Sequence, residues 1–228
     1  MPMLDLQPAA REVARLLDGV RDDQLADPTP CPDYPVGALL DHLMGLSLAF
    51  TWAARKVAPS DHGPGAGQAA VDHLDPSWRI ILPQHLAKLV EAWGDPAAWE
   101  GFTEAGGVRL PAEVMGAAAL DELVLHGWDL ARATGQEFSC DPASTAAVLA
   151  STTESAKPEQ AAGREGLFGP VVEVPAAASD FDKALGLAGR DPAWAPVFAG
   201  RTPRSSITSP AGSRQSRSRS DRGLDLPI

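Results

Sequence analysis

The helical spacing of apolar residues is the feature that most constrains the fold of this chain. In the first such segment, which begins after a proline, Val13, Leu16, Leu17 and Val20 fall three or four positions apart. The strict alternation typical of half-buried strands is scarce. The same spacing predicts helices over 36–57, 77–93, 111–134 and 179–187, with a further helix that opens at Asp141 and Pro142. The sequence therefore predicts an all-α protein, a helical bundle with long crossover loops such as 58–76, short extra helices and little strand.

The composition changes near residue 200. Residues 201–228 contain six arginines and two aspartates, a net charge of +4, and are rich in serine, whereas residues 1–200 have a net charge of -15. A segment with so few large apolar residues cannot bury enough surface to offset its chain entropy. We therefore expect a helical domain over 4–200 and a disordered tail over 201–228. The acidic domain would repel phosphate backbones, which argues against nucleic acid as a partner.

Three further features indicate a soluble, cytoplasmic protein. The N-terminus lacks the basic and apolar regions of a secretory signal, and charged residues interrupt the apolar stretches before they reach the roughly 20 residues of a membrane span. The only cysteines, Cys31 and Cys140, do not form a disulfide framework. We expect no membrane partner, and the oligomeric state stays open, with a homodimer as one option.

The segment ALDELVLHGWDLARAT, residues 119–134, contains the clearest candidate site. Glu122 and His126 are four residues apart, so on a helix their side chains lie roughly 40° apart and about 6 Å along the axis. A carboxylate and an imidazole at this spacing form half of a typical metal site, and helical bundles often complete such sites from a facing helix. His42 is the best donor, because it sits among the apolar positions of the second predicted helix. These residues predict a divalent metal bound by His42, Glu122 and His126.

Each of these residues also has a structural interpretation. A Glu-His pair at this spacing can be a surface ion pair, and a lone histidine on an apolar helix can be a hydrogen-bonded core residue. Asp129 either orients a ligand imidazole or forms an ion pair with Arg132. Cys31 lies between two prolines and is either close to the metal or a small buried residue.

Two segments, PTPCPDYPVGALLDHLMG at 28–45 and ALDELVLHGWDLARATG at 119–135, resemble a known family. It is the metal-binding family related to the N-terminal domain of mycothiol-dependent maleylpyruvate isomerase, a DinB-like superfamily of helical bundles found widely in actinobacteria. WGDPAAWEGFT, AGGVRLP, GLFGP and GRDPAWAP resemble it too, so that the resemblance covers about residues 4–198. It implies a DinB-like four-helix bundle in which His42, Glu122 and His126 bind the metal.

The resemblance also implies a chemistry. Three protein ligands leave positions open for water or substrate, and this ligand set suits Zn²⁺ best, with Ni²⁺, Fe²⁺ or Mn²⁺ as alternatives. An open metal can deprotonate a thiol, which the family implies is mycothiol. We therefore expect a mycothiol-dependent transferase or isomerase that acts on a small electrophile. The alternative is a metal-binding bundle without catalysis, such as a sensor or stress protein. Two departures matter: the isomerase has a further C-terminal domain, and the tail from 201 does not resemble the family.

Overall fold

A computed structural model describes residues 3–57, 69–164 and 168–196 of the 228-residue chain. These residues belong to one compact unit, Met1–Pro196. Most of the predicted loop at 58–76 lies outside the described residues. So do the predicted tail at 201–228 and the last residues of the predicted domain at 4–200.

The described part of the chain is mostly helical, which confirms the predicted fold class. Its one small sheet is an antiparallel hairpin in which Phe102 pairs with Pro111 and Ala105 pairs with Val108. The elements in chain order are α1 (Gln7–Leu17), α2 (Val36–Ala54), α3 (Trp78–Trp93), β1 (Phe102–Ala105), β2 (Val108–Pro111), α4 (Ala112–Thr134), α5 (Pro142–Ser155), α6 (Ala161–Arg164) and α7 (Asp180–Leu187).

The helices pack around α4. Helices α1 and α2 contact α4 and also α3, so that α1–α4 form the four-helix bundle, while α5 packs against α4 and α7 against α5. The core between them is built largely from leucines with no exposed surface, such as Leu43, Leu89 and Leu123. Because α4 has neighbours on more than one side, its polar side chains must find partners within the protein. That requirement shapes the candidate site.

The helix ends are set by local chemistry. Gly135 ends α4 in the left-handed conformation with φ of 72°, and the Asp141 carboxylate caps α5 by accepting hydrogen bonds from Ala143 N and Ser144 N. The prediction was too long for the second helix, which ends at Ala54 rather than residue 57. Lys56 has φ of 56°, and its ammonium donates to the carbonyls of Ala98 and Glu100. The left-handed conformation of Lys56 cannot continue a right-handed helix, and the two bonds hold its side chain in place.

Helix α2 also meets the length and composition of a membrane span, with a mean hydropathy of 1.3. This property was not expected from the sequence. In the structure, 56% of this apolar stretch of α2 is buried inside the protein, and α2 packs along α3 and α4. These contacts are those of a core helix in a helical bundle.

Candidate functional site

The structure brings His42, Glu122 and His126 together. The Nε2 atom of His42 lies 3.3 Å from Oε2 of Glu122, and the Nε2 atom of His126 lies 3.0 Å from the same oxygen. The two imidazole rings meet nearly at right angles, with their centroids 4.9 Å apart. Three side chains from two helices therefore converge on one point.

Helix geometry explains the convergence. Glu122 and His126 are one turn apart on α4, and α2 packs against that helix, which carries His42 towards the pair. The ring of Tyr34, just before α2, stacks on the His42 ring with centroids 4.7 Å apart and an angle of 24°. His42 is thereby restricted in orientation by an aromatic neighbour from the segment that precedes its own helix.

The spacing of these ligand atoms fits one small cation. One nitrogen or oxygen from each side chain lies within 4.8 Å of the others. In a tetrahedral zinc site with bonds near 2.0 Å, neighbouring ligand atoms are about 3.3 Å apart. The same separations also suit hydrogen bonds between imidazole and carboxylate, which are the contacts the side chains make here. The arrangement can thus hold either a proton or a metal ion between its ligands.

The second nitrogen of His126 is also engaged. Its Nδ1 lies 3.0 Å from Oδ2 of Asp129, and that same oxygen accepts a hydrogen bond of 3.0 Å from Nη2 of Arg190. The Asp129 side chain has no exposed surface, and that of Arg190 is 8% exposed. Arg132 instead donates from Nε to the Trp194 carbonyl at 3.1 Å. Asp129 therefore links the buried guanidinium of Arg190 to the imidazole of His126.

Arg190 is the site residue that the sequence analysis missed. It follows α7, where the Arg190 amide bonds to the Leu185 carbonyl and Gly189 adopts φ of 83°. This is the hydrogen-bond pattern of a glycine-terminated helix, and it turns the chain sharply. A side chain on Gly189 would also meet the Gly169 backbone at 2.7 Å. The Gly-Arg pair after a short helix, within GRDPAWAP, was the available signal.

The carboxylates control the charge of the site. Burial opposes a charge on His126, but the negative charges and hydrogen bonds of Glu122 and Asp129 outweigh it and raise the pKa of His126 to about 9. Burial likewise opposes a charge on Glu122, but the two imidazoles outweigh it and lower the pKa of this carboxyl far below its usual range. A cation that binds at this point must compete with the proton on His126.

Cys31 lies on the Asp129 side of the same cluster. Its sulfur, an imidazole nitrogen of His126 and a carboxylate oxygen of Asp129 all lie within 4.8 Å of one another. Burial, with the negative charge of Asp129, raises the pKa of the Cys31 thiol to about 11, although the positive charge of Arg190 works against this shift. Cys31 is thus both close to the proposed metal ligands and partly buried, and its thiol is protonated at neutral pH.

A cavity of about 220 Å³ opens beside the cluster. It lies in the proline-rich segment before α2 and is lined by Cys31 and Tyr34 together with their neighbours Ala26, Pro28, Thr29, Pro32 and Pro35. A second cavity of about 260 Å³ lies by α1 and the start of α5, and its lining includes none of the proposed metal ligands. The lining of the first cavity does not include these ligands either, but Tyr34 stacks on His42, and the sulfur of Cys31 lies within 4.8 Å of an imidazole nitrogen of His126.

The sequence comparison decides the family. The model of the mycothiol maleylpyruvate isomerase N-terminal domain family matches residues 6–131, more than half of the chain. The chain belongs to this family. The matched region contains His42, Glu122, His126 and Asp129, but it ends before α5 and α7 and so does not include Arg190.

A curated relative and two solved structures also match this chain. An uncharacterized protein of Mycobacterium tuberculosis, found in two strains, is 28% identical over 144 residues, which is 62% of this chain and 71% of that protein. The crystal structure of the mycothiol-dependent maleylpyruvate isomerase superposes with a TM-score of 0.54 at 14% identity, over 76% of this chain and 75% of that one. A histidine-to-alanine mutant of the same enzyme gives 0.55 with the same identity and coverage. At this identity the superposition establishes a shared fold.

Proposed function

We propose that the protein binds one divalent metal ion through His42, Glu122 and His126. The observation that carries this proposal is the convergence of two imidazole Nε2 atoms on one carboxylate oxygen, at 3.3 and 3.0 Å. Two imidazoles and a carboxylate are the ligand set of many catalytic zinc sites, and they leave a coordination position free. Zn²⁺ suits this set best, while Ni²⁺, Fe²⁺ and Mn²⁺ are the alternatives to test.

The position of the ligands supports access from solvent. The side chains of His42 and Glu122 are 27% and 30% exposed, whereas that of His126 is 8% exposed. The open side of the centre therefore faces the His42 and Glu122 edge. Tyr34 stacks on His42 and also lines the cavity of about 220 Å³, so that a small molecule in this cavity would approach the centre past Tyr34.

We further propose a thiol-dependent reaction at this centre. When bound, a divalent metal supplies a positive charge that lowers the pKa of a thiol, so that the thiolate is available near neutral pH. The family description names mycothiol, and we propose mycothiol as the co-substrate and a small electrophile as the substrate of a transferase or isomerase. Cys31 is not the nucleophile of this proposal, because burial holds its own pKa near 11. We place this activity in the cytoplasm, with small molecules rather than nucleic acids as partners.

Mycothiol-dependent turnover tests the catalytic part of the proposal. The zinc-loaded full chain would be incubated with mycothiol and a panel of small electrophiles, including maleylpyruvate, beside the Glu122→Gln variant. We expect consumption of at least one electrophile that requires both metal and mycothiol and is lost in Glu122→Gln, since that change replaces the shared carboxylate with a neutral amide. Stoichiometric zinc in the wild type without thiol-dependent turnover of any electrophile would contradict the catalytic part.

A non-catalytic metal-binding protein is the second candidate, and the size of the cavity favours it. Ligand pockets usually enclose roughly 300–1,000 Å³, whereas the cavity at Cys31 and Tyr34 encloses about 220 Å³. Calorimetric titration of mycothiol separates the candidates. Binding of mycothiol to the zinc form but not to the metal-free form supports the enzyme, and tight zinc binding with no affinity for the thiol supports a sensor or stress protein.

A further inference from the structure

The guanidinium of Arg190 is not one of the proposed metal ligands, but a single residue, Asp129, connects it to the ligand His126. Arg190 donates from Nη2 to Oδ2 of Asp129 at 3.0 Å, and its Nε lies 3.5 Å from Oδ1 of the same carboxylate. Oδ2 is also the atom that faces Nδ1 of His126, at 3.0 Å. One fork-shaped side chain thus fixes both oxygens of the carboxylate that contacts a proposed metal ligand.

Arg190 is itself held in place. Its Nη1 donates to the Ala188 carbonyl at 2.9 Å, and its backbone amide bonds to the Leu185 carbonyl at 2.9 Å. The turn at Gly189 has no room for a side chain, because a Cβ there would meet the Gly169 backbone. The guanidinium is therefore anchored by the end of α7 before it reaches Asp129, and this anchoring restricts where the carboxylate can lie.

The geometry points to a role for this arrangement. We propose, on the basis of the metal site proposed above, that Arg190 is a positioning residue that holds Asp129 so that His126 keeps its proton on Nδ1 and presents Nε2 to the cation. A histidine ligand needs its other nitrogen occupied by a donor–acceptor contact, since that contact selects the tautomer and fixes the ring plane. Without Arg190, the Asp129 carboxylate would be buried without its cationic partner and free to rotate.

Arg132 provides a matched control. It arises from α4 like Asp129, and it ties the same C-terminal segment to that helix by donating to the Trp194 carbonyl. It makes no hydrogen bond to Asp129 among the described residues. Loss of Arg132 therefore loosens the segment that carries Arg190 without removing the guanidinium from the carboxylate. A purely structural role of Arg190 predicts similar effects for both arginines.

Zinc affinity, measured by chelator competition on the full chain, tests the proposal in Arg190→Gln, Arg190→Lys and Arg132→Gln. We expect Arg190→Gln to weaken zinc binding about 10- to 100-fold, the usual effect of losing a group that orients a metal ligand. Arg190→Lys keeps the charge without the fork and should fall between it and the wild type. Arg132→Gln should stay within about threefold of the wild type. Equal losses for the two glutamine variants, or no loss in either Arg190 variant, would overturn the proposal.

Proton NMR of the metal-free protein separates this inference from the proposed metal site. The hydrogen-bonded Nδ1 proton of His126 should give a slowly exchanging low-field resonance in the wild type and in Arg132→Gln. It should be lost or broadened in Arg190→Gln. Arg190→Lys should retain part of it, and this variant carries the test if Arg190→Gln does not fold. Persistence of the resonance in both Arg190 variants would overturn the positioning role. A wild type that shows the resonance but binds no zinc would contradict the proposed function alone.

Discussion

The two helices that supply the candidate site hold their histidines differently. On α4, His126 is 8% exposed and contacts carboxylates through both nitrogens, with Arg190 behind one of them. On α2, His42 is 27% exposed, contacts Glu122 through one nitrogen and is otherwise steadied by the Tyr34 ring. The histidine on α4 is thus buried and held by charged partners, whereas the histidine on α2 is more exposed and has fewer polar contacts. The difference suggests that α4 sets the position of the cation and α2 sets access to it.

Removal of each histidine gives the largest expected contrast. We expect His126→Ala to abolish retention of zinc through gel filtration, because it removes the ligand and leaves the Asp129 carboxylate and Arg190 as a separate pair. His42→Ala should retain measurable but weakened binding through the two remaining ligands on α4. Chelator competition on both variants checks this. Stronger binding in His126→Ala than in His42→Ala would reverse the assignment of the two sides.

Loss of the Asp129 charge should have the next largest effect. Asp129→Asn replaces the charged carboxylate that faces Nδ1 of His126 with a neutral amide, and we expect about a 10- to 100-fold loss of zinc affinity. It also leaves the Arg190 guanidinium buried without a negatively charged partner, which should lower the free energy of unfolding by about 3–5 kcal/mol. Zinc titration and thermal unfolding measure the two effects. An unchanged zinc affinity in a folded Asp129→Asn protein would show that His126 binds the metal without support from the Asp129 charge.

The aromatic support of His42 predicts a smaller effect. Tyr34→Leu removes the stacked ring and should weaken zinc binding about two- to tenfold, in line with about 0.5–1.5 kcal/mol for an aromatic pair. Tyr34→Phe keeps the ring and serves as the control, with affinity close to that of the wild type. Zinc titration of both variants checks the prediction. A loss in Tyr34→Phe equal to that in Tyr34→Leu would assign the effect to the hydroxyl instead.

Substitution of Asp121, the residue before Glu122 on α4, should change the stability of the fold but not the affinity for zinc. Asp121 is 6% exposed, and burial raises its pKa to about 8, despite the hydrogen bond that Ser151 donates to it. The folded state thus binds the Asp121 proton more tightly than the unfolded state does, and this contribution to stability is lost as the pH rises towards 8. Asp121→Asn should therefore stabilise the fold, by up to about 4 kcal/mol more at pH 8 than at pH 5, since each pH unit between the two pKa values contributes about 1.4 kcal/mol. Thermal unfolding at both pH values checks this, and a gain that is larger at pH 5 would contradict it.

The pattern of the sequence was enough to predict the helices and to place Glu122 and His126 one turn apart on the same helix. Periodicity predicted α2 and α4, and the spacing of Glu122 and His126 placed both on one face. His42 was chosen as the third ligand because it lies among the apolar positions of the second predicted helix, and the family resemblance supported that choice. Periodicity alone does not reveal which helices are neighbours. That these residues bind a metal stays a prediction.

The contacts that the sequence did not predict depend on tertiary structure. Arg190 lies 61 residues from Asp129, and only the turn after α7 brings them together. Just after the end of α2, Lys56 donates to the carbonyls of Ala98 and Glu100, which is also a long-range contact. For Cys31, two interpretations were open, and the structure places its sulfur near Asp129 while keeping it partly buried. Local spacing carries no information on such contacts.

Metal content tests the central claim most directly. The full chain would be equilibrated with Zn²⁺, freed of unbound metal by gel filtration and measured by elemental mass spectrometry, beside His126→Ala and the control Asp121→Asn. We expect close to one zinc per chain in the wild type and in Asp121→Asn, and almost none in His126→Ala. No zinc in the wild type, or equal zinc in the wild type and His126→Ala, would contradict the proposed metal site.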